Sequence, residues 1–290
     1  MTKVRQIEIG SATDVGNVRR SNEDRVVADI IPCGASAIPA ALLLVADGLG
    51  GHEGGEMASM LAQTTLREVV AQPMASGKIT STAISRMLAG ALKLANKRIY
   101  EAGGDVVHGR PGTTMTACLL SAQRYDLAHV GDSRAFLITP HSTLQLTDDD
   151  SVVADAVRQG TMTNEQARSS PYRNQLTRSI GTSEQVDPSI YHGPIDAGDV
   201  VAICSDGLSE YITPEEMHDA ILGKATLQHF CDDLVQLAKQ RGGHDNISLV
   251  AARAGTWADR QAEVGRARDR MGKAHRHTTL PLLRPFNRKH

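Results

Sequence analysis

Three aspartates stand in nearly the same local setting. Residues 45–55 read Val-Ala-Asp-Gly-Leu-Gly-Gly-His-Glu-Gly-Gly, and the apolar run 41–46 stops at Asp47. Residues 199–204, Asp-Val-Val-Ala-Ile-Cys, run into Ser205-Asp206-Gly207-Leu208. Gly242-Gly243-His244-Asp245-Asn246 leads into the apolar run 247–252. Short apolar runs bounded by Gly-rich turns read as buried strands. Asp47 and Asp206 therefore follow a core strand and Asp245 precedes one, each with its carboxylate free of the ladder. Asp132, in Gly131-Asp132-Ser133-Arg134, repeats the arrangement. In antiparallel neighbours a strand start and a strand end share an edge. Asp47, Asp206 and Asp245 are thus expected to converge at one edge of a sheet. Alone, each Asp-Gly is a tight turn and Asp132 a residue bonding its own backbone; the recurrence argues for a site.

Carboxylates together with the Gly48 carbonyl suit hard divalent cations such as magnesium or manganese. The polar stretch 13–25 adds Arg19, Glu23 and Asp24. A guanidinium matches phosphate with two parallel hydrogen bonds, and acidic neighbours can hold a metal or its waters. Taken alone, this stretch is a solvated turn with a local ion pair. Taken with the aspartates, it completes an oxygen-rich site for two hard cations and one phosphate. Two such metals can share and deprotonate a water and clamp the oxygens of a displacement at phosphorus.

The positioning elements follow from periodicity. Strands are expected near 4–9, 26–28, 41–46, 114–121, 124–130, 135–139, 199–204 and 247–252. Helical spacing of apolar residues covers 56–70 and 81–102, the second capped by Thr80 and stopped at Gly103-Gly104. Residues 147–180 are polar and weakly periodic, and 151–172 reads as a flap with one helix near 152–157 and another capped by Thr163. Such long excursions are usually functional or mobile. Thr213 and Pro214 open a helix over 215–222, and 227–239 is amphipathic.

Composition narrows the class. The 290 residues are 41% hydrophobic and 22% charged, ordinary for a globular chain, and long enough for a large core. Aromatics are only 3%, so the core must be aliphatic. A net charge of −2 argues against whole-surface nucleic-acid binding. Cys33, Cys118, Cys204 and Cys231 are far apart and form no Cys-x-x-Cys pair. No apolar stretch reaches a membrane span, and the N-terminus shows no signal-peptide core. A cytoplasmic, reduced protein is expected.

An ordered series of motifs carries a resemblance. Thr13-Asp14-x-Gly16-x-x-Arg19-x-x-Asn22-Glu23-Asp24 is followed by Val45-Ala46-Asp47-Gly48-x-Gly50-Gly51-His52. Gly112-Thr113-Thr114, Gly131-Asp132-Ser133-Arg134 and Leu146-Thr147-x-Asp149 come next. Leu176-Thr177-Arg178-x-x-Gly181, Ser205-Asp206-Gly207-Leu208 and Gly243-x-Asp245-Asn246 complete it. Over residues 7–253 the chain resembles the metal-dependent serine/threonine protein phosphatases of type 2C, the PPM family, in bacterial form. Each motif is weak and the whole order is specific.

The resemblance implies an α+β fold: a four-layer α-β-β-α sandwich with a central antiparallel β-sandwich and a small flap subdomain. It implies a catalytic domain over 1–255 and two or three Mn²⁺ or Mg²⁺ ions. Asp47 would bridge two metals, Gly48 would offer its carbonyl, and Asp206 and Asp245 would complete the pair. Glu23 and Asp24 would bind metal-ligated waters or a metal directly. Asp132, with Asp206, would hold a third metal, and Arg19 the substrate phosphate. A metal-bridging hydroxide would attack phosphorus in line, with no phosphoenzyme. The implied partner is a phosphorylated protein, with a cognate Ser/Thr kinase whose action is reversed.

Departures from the family pattern are specific. Leu49 stands where eukaryotic relatives carry a proposed general-acid His. Glu210 replaces the second Asp of Asp-Gly-x-x-Asp, and its longer side chain is expected to alter metal spacing there; Asp149-Asp150-Ser151 replaces Asp-His-Ser, with effects expected on the flap rather than on the chemistry. Residues 256–290 lie outside the resemblance and form a basic tail, read as solvated and partly disordered; the sharper reading is an electrostatic contact with an acidic partner or anionic lipid. The competing function is a non-catalytic phosphoprotein-binding module on the same fold, which would not need the full ligand set.

Overall fold

A computed structural model describes residues 6–33, 38–76, 81–103, 110–222 and 226–256. The expected Thr80 cap, Gly104 and the tail from 257 onward lie outside the described residues. In chain order, β1 (Ile7–Asp14), β2 (Arg25–Cys33), β3 (Ile38–Ala46) and the two-residue β4 (Gly48–Leu49) come first. Helices α1 (His52–Ser76) and α2 (Ser81–Ala102) follow, then β5 (Gly112–Thr113), β6 (Met115–Leu120), β7 (Arg124–Val130), β8 (Arg134–Ile138) and β9 (Thr143–Gln145). The short helices α3 (Val152–Arg158) and α4 (Asn164–Ser169) precede β10 (Ser189–Pro194) and β11 (Val200–Cys204). The chain then forms α5 (Asp206–Ser209), α6 (Pro214–Leu222), α7 (Leu227–Gln240) and β12 (Ile247–Ala254).

Two five-stranded sheets have the orders β1-β12-β11-β8-β9 and β10-β7-β6-β3-β2, and every pairing is antiparallel. Three apolar layers hold them. Leu43, Val45, Cys118 and Leu127 of the second sheet meet Val201, Ile203, Val250 and Ala252 of the first. The other face of the second sheet, with Leu42, Leu44 and Ala117, packs on Leu66, Leu88, Leu92 and Ile99 of α1 and α2. The other face of the first sheet packs on Met217, Phe230 and Leu234 of α6 and α7. Strands buried on both faces need continuous apolar runs rather than alternation, which is why 41–46 and 200–204 lack a polar side.

This arrangement corrects one expectation. β3 belongs to the second sheet, whereas β11 and β12 belong to the first. The site carboxylates do not share one sheet edge; they approach from two stacked sheets, and the antiparallel rule applies only to the β11–β12 pair. α1 also begins at His52 rather than residue 56 and runs past Pro73 to Ser76. Buried Val70 and Met74 keep its last turns on the core.

Candidate active site

Arg19, Glu23, Asp47, Gly48, Leu49, Asp132, Asn174, Leu176, Asp206, Asp245 and Asn246 line one cleft of about 120 Å³. Seven of the eight expected site residues are in that lining. The eighth, Asp24, is 2% exposed and sits behind it.

Asp47 directly follows β3. Its N–H donates to Thr114 Oγ1 at 3.0 Å, and its carbonyl accepts from Thr113 Oγ1 and Thr114 N–H, both at 2.8 Å. With its backbone pinned, Asp47 is left with a side chain to spend on the cleft. Gly48 is required by close approach: a Cβ there would fall 2.4 Å from Gly55 O and 2.8 Å from Glu23 O. Asp206 opens α5, separated from the end of β11 by Ser205 alone. Asp132 lies in the turn between β7 and β8.

Asn246 organises the loop that carries Arg19. Its Oδ1 accepts from Glu23 N–H at 2.8 Å, and its Nδ2 donates to the carbonyls of Val15 and Ser21, each at 3.0 Å. These three bonds bracket Arg19 on both sides. Gly16 sits at φ 79°, and a Cβ there would fall 2.1 Å from Asp245 O. Arg19 Nη2 donates to Asp245 Oδ2 at 2.6 Å. The motif Asp245-Asn246 was visible in the sequence, but the role of Asn246 depends on a return of 225 residues to Ser21.

The electrostatics are those of crowded acids. Burial first, then the charges of Asp24, Asp206, Asp132 and Asp245, push the Asp47 pKa well above its ordinary value. Burial and the charge of Asp206 do the same to Asp132, and burial and Asp245 raise Asp206. Asp24 is pushed up to about 7, chiefly by burial. Burial opposes the Arg19 charge, but Asp245 outweighs it and holds the guanidinium pKa above its usual value. Asp24 Oδ2 accepts from Ser205 Oγ at 2.9 Å, while Asp24 Oδ1 and Asp206 Oδ1 are buried without a hydrogen-bond partner among the described residues.

Buried carboxylate oxygens without donors are costly unless a cation takes them. The donor set is entirely hard oxygen, which fits Mg²⁺ or Mn²⁺. Among the described residues no three side chains already close on a single point, so the fit is one of chemistry and proximity rather than of finished coordination.

Around the cleft, Ser151 and Leu176 form an antiparallel bridge at the neck of the 151–176 excursion, beyond the expected boundary at residue 172. Thr163 caps α4 with Gln166 in a reciprocal capping box, as its position predicts. Asp150, 4% exposed, accepts from Gly131 N–H at 3.0 Å and from Arg178 Nη2 at 2.5 Å, tying the neck to the Asp132 turn. Asn174 and Leu176 reach the cleft from this excursion; Leu176 opens one of the family motifs, whereas Asn174 carries no sequence signal of that role. Glu210 is exposed, 4.0 Å from Arg173, and adds its charge to Asp206.

The model of the family described as protein phosphatase 2C matches residues 23–249. The chain belongs to the protein phosphatase 2C family. It is thereby of the serine/threonine protein phosphatase class of hydrolases. Protein phosphatase PhpP of Streptococcus pneumoniae is 31% identical, over 84% of this chain and 96% of its own length. Serine/threonine phosphatase stp of Listeria monocytogenes is 32% identical over 82% and 92%. Among solved structures, the serine/threonine phosphatase of S. agalactiae superposes with a TM-score of 0.77 at 30% identity, covering 86% of this chain and 99% of that one. The catalytic domain of PstP in complex with two manganese ions gives 0.71 at 30% identity, covering 86% and 98%. As in these type 2C relatives the sheets are antiparallel and flanked by helices. No helix among the described residues is long and apolar enough to cross a membrane.

Proposed function

We propose that this PP2C-family chain hydrolyses phosphoserine and phosphothreonine in protein substrates with divalent cations, Mn²⁺ or Mg²⁺, as cofactors. The carrying observation is the meeting of Asp47, Asp132, Asp206 and Asp245 in one cleft with Arg19 beside them. In this reading Asp47, Asp206 and Asp245 are the central ligands and Gly48 adds its carbonyl. Glu23, Asp24 and Asp132 complete the acidic shell for the two or three ions of this reading. Such ions, when bound, generate a nucleophile from water near neutral pH and neutralise charge at phosphorus.

The chain's own residues do the rest. Arg19 binds the phosphate oxygens with two parallel donors. Asn246 holds the Arg19 loop in register with the carboxylates, so the phosphate meets a preorganised site. Thr113 and Thr114 fix the Asp47 backbone. Leu49 cannot supply a proton, so no general acid is assigned at that position. The proposed physiological counterpart is a protein kinase acting on serine and threonine.

The test is hydrolysis of a phosphothreonine peptide with Mn²⁺, with Mg²⁺ and with chelator, beside Asp47→Asn and Asp206→Asn. Turnover is expected only with metal, with a fall of at least about 100-fold in each variant, since several kcal/mol of charge stabilisation are at stake. Wild-type turnover that persists in chelator would sink the metal-dependent reading.

A further inference from the structure

We propose that Arg19 is a displaceable latch on Asp245: a divalent cation that takes Asp245 as a ligand evicts the guanidinium, which then serves the substrate phosphate. The inference rests on the metal-site reading above and adds a competition to it.

Both oxygens of Asp245 are already engaged. Oδ1 accepts from the Asn246 N–H at 2.8 Å, and Oδ2 accepts from Arg19 Nη2 at 2.6 Å. The first bond is a local one, to the N–H of the next residue just ahead of β12. The second is to the end of a long side chain that is 50% exposed and can swing. Asp206 and Asp24 differ, since each has one buried oxygen without a partner among the described residues. Asp206 therefore presents an unpaired oxygen at the cleft, whereas Asp245 Oδ2 already holds the Arg19 cation, whose charge competes with an incoming metal.

The backbone under Arg19 stays fixed while the side chain moves. Asn246 holds Val15, Ser21 and Glu23, and Asn17 Nδ2 donates to the carbonyls of Lys239 and Gly242 at 2.8 and 2.9 Å. Arg19 also faces Glu23 and Asp47 across the cleft, so eviction leaves the guanidinium at the mouth of the same site. A two-charge cation exchanged for a one-charge donor keeps the crowded acids compensated. Metal loading and readiness for phosphate thereby become one event, and the cost of displacing Arg19 is subtracted from metal affinity.

The sign of this prediction separates it from a simple phosphate-binding role. Mn²⁺ binding is measured by calorimetry on the wild type, Arg19→Ala and Arg20→Ala. Arg20 is an exposed neighbour of the same charge outside the cleft lining. Arg19→Ala is expected to bind Mn²⁺ about five-fold more tightly, the change that corresponds to about 1 kcal/mol for a partly exposed ion pair. Arg20→Ala is expected to match the wild type. A thermal melt in chelator checks that each variant is folded. Inorganic phosphate, titrated onto the Mn²⁺-loaded proteins, is expected to bind Arg19→Ala at least about ten-fold more weakly, as loss of a charge-assisted donor pair requires.

Unchanged or weaker Mn²⁺ binding by Arg19→Ala overturns the latch and leaves the metal site standing. Equal tightening in both variants also overturns it, because a general loss of positive charge would then explain the effect. A wild type that binds no Mn²⁺ overturns the metal-site reading, and the latch with it.

Discussion

Asp24 is the residue where burial and charge are most at odds. It is 2% exposed, it has one oxygen bonded to Ser205, and burial together with Asp206 and Asp245 outweighs its serine hydrogen bonds and raises its pKa to about 7. Between the ordinary carboxylate value near ~4 and about 7, the folded chain holds a proton that the unfolded chain has released. Stability then falls as pH rises through that window, because the native state binds more protons. In chelator, the melting temperature is expected to drop from pH 5 to pH 7.5, with a shallower drop in Asp24→Asn. Asp47, Asp132 and Asp206 are raised as well, so the slope shrinks rather than vanishes. Mn²⁺ favours the ionised forms, so its stabilising effect is expected to grow with pH. Parallel slopes for wild type and Asp24→Asn would remove Asp24 as a source of the dependence.

At the scale of elements, the first turn of α1 is shaped around Glu23. Gly54 and Gly55 are poor helix formers, yet their N–H groups both bond to Gly51 O at 2.9 and 3.1 Å. A Cβ on Gly55 would lie 2.1 Å from Glu23 Oε2 and 2.9 Å from the Gly48 carbonyl carbon. Gly55→Ala must therefore push apart two proposed ligands and the helix that abuts them. Loss of at least about ten-fold in kcat/KM is expected, with about 1–3 kcal/mol of stability lost, as for overpacking elsewhere. Steady-state kinetics and urea unfolding would check it; wild-type kinetics in Gly55→Ala would show that the contact relaxes harmlessly. The same glycines explain why the start of α1 was hidden: their propensity pointed to a turn, and the apolar period begins only at Met57. The β4–β5 ladder is two residues long and has no periodicity to read. β10 carries Gly193 and Pro194 and sits at a sheet edge, where such residues are tolerated and strand signals are weak. By contrast, α2 spans the expected 81–102 and β7 the expected 124–130, because long or continuous apolar patterns are decided by burial.

On the scale of the whole molecule, the apolar layers were foreseeable as runs but not as partners. Which face of β3 meets Val201 and Ile203, and which meets α1, is decided by stacking of sheets distant in sequence. That stacking is what sets Asp47 opposite Asp206 and Asp245 and gathers Arg19 to them. It is complete by the end of β12: Ala254 pairs with Ile7 and is fully buried, and Gly255 N–H donates to Gln6 O at 2.8 Å. Thr256 is exposed. The core layers and the cleft lining are built from residues up to Ala254, and a catalytic domain over 1–255 is the proposal tested below. The remaining segment carries Arg260, Arg266, Arg268, Arg270, Lys273, Arg276, Arg284, Arg288 and Lys289 against Asp259, Glu263 and Asp269. A chain ending at Thr256 is expected to keep its melting temperature within about 2 °C, since the three core layers close on residues up to Ala254. Metal-dependent turnover of a short phosphopeptide is expected to stay within about two-fold, with any loss confined to acidic macromolecular substrates and abolished by salt. A fall in peptide turnover or in the melting temperature on truncation would instead make the basic segment part of the catalytic body.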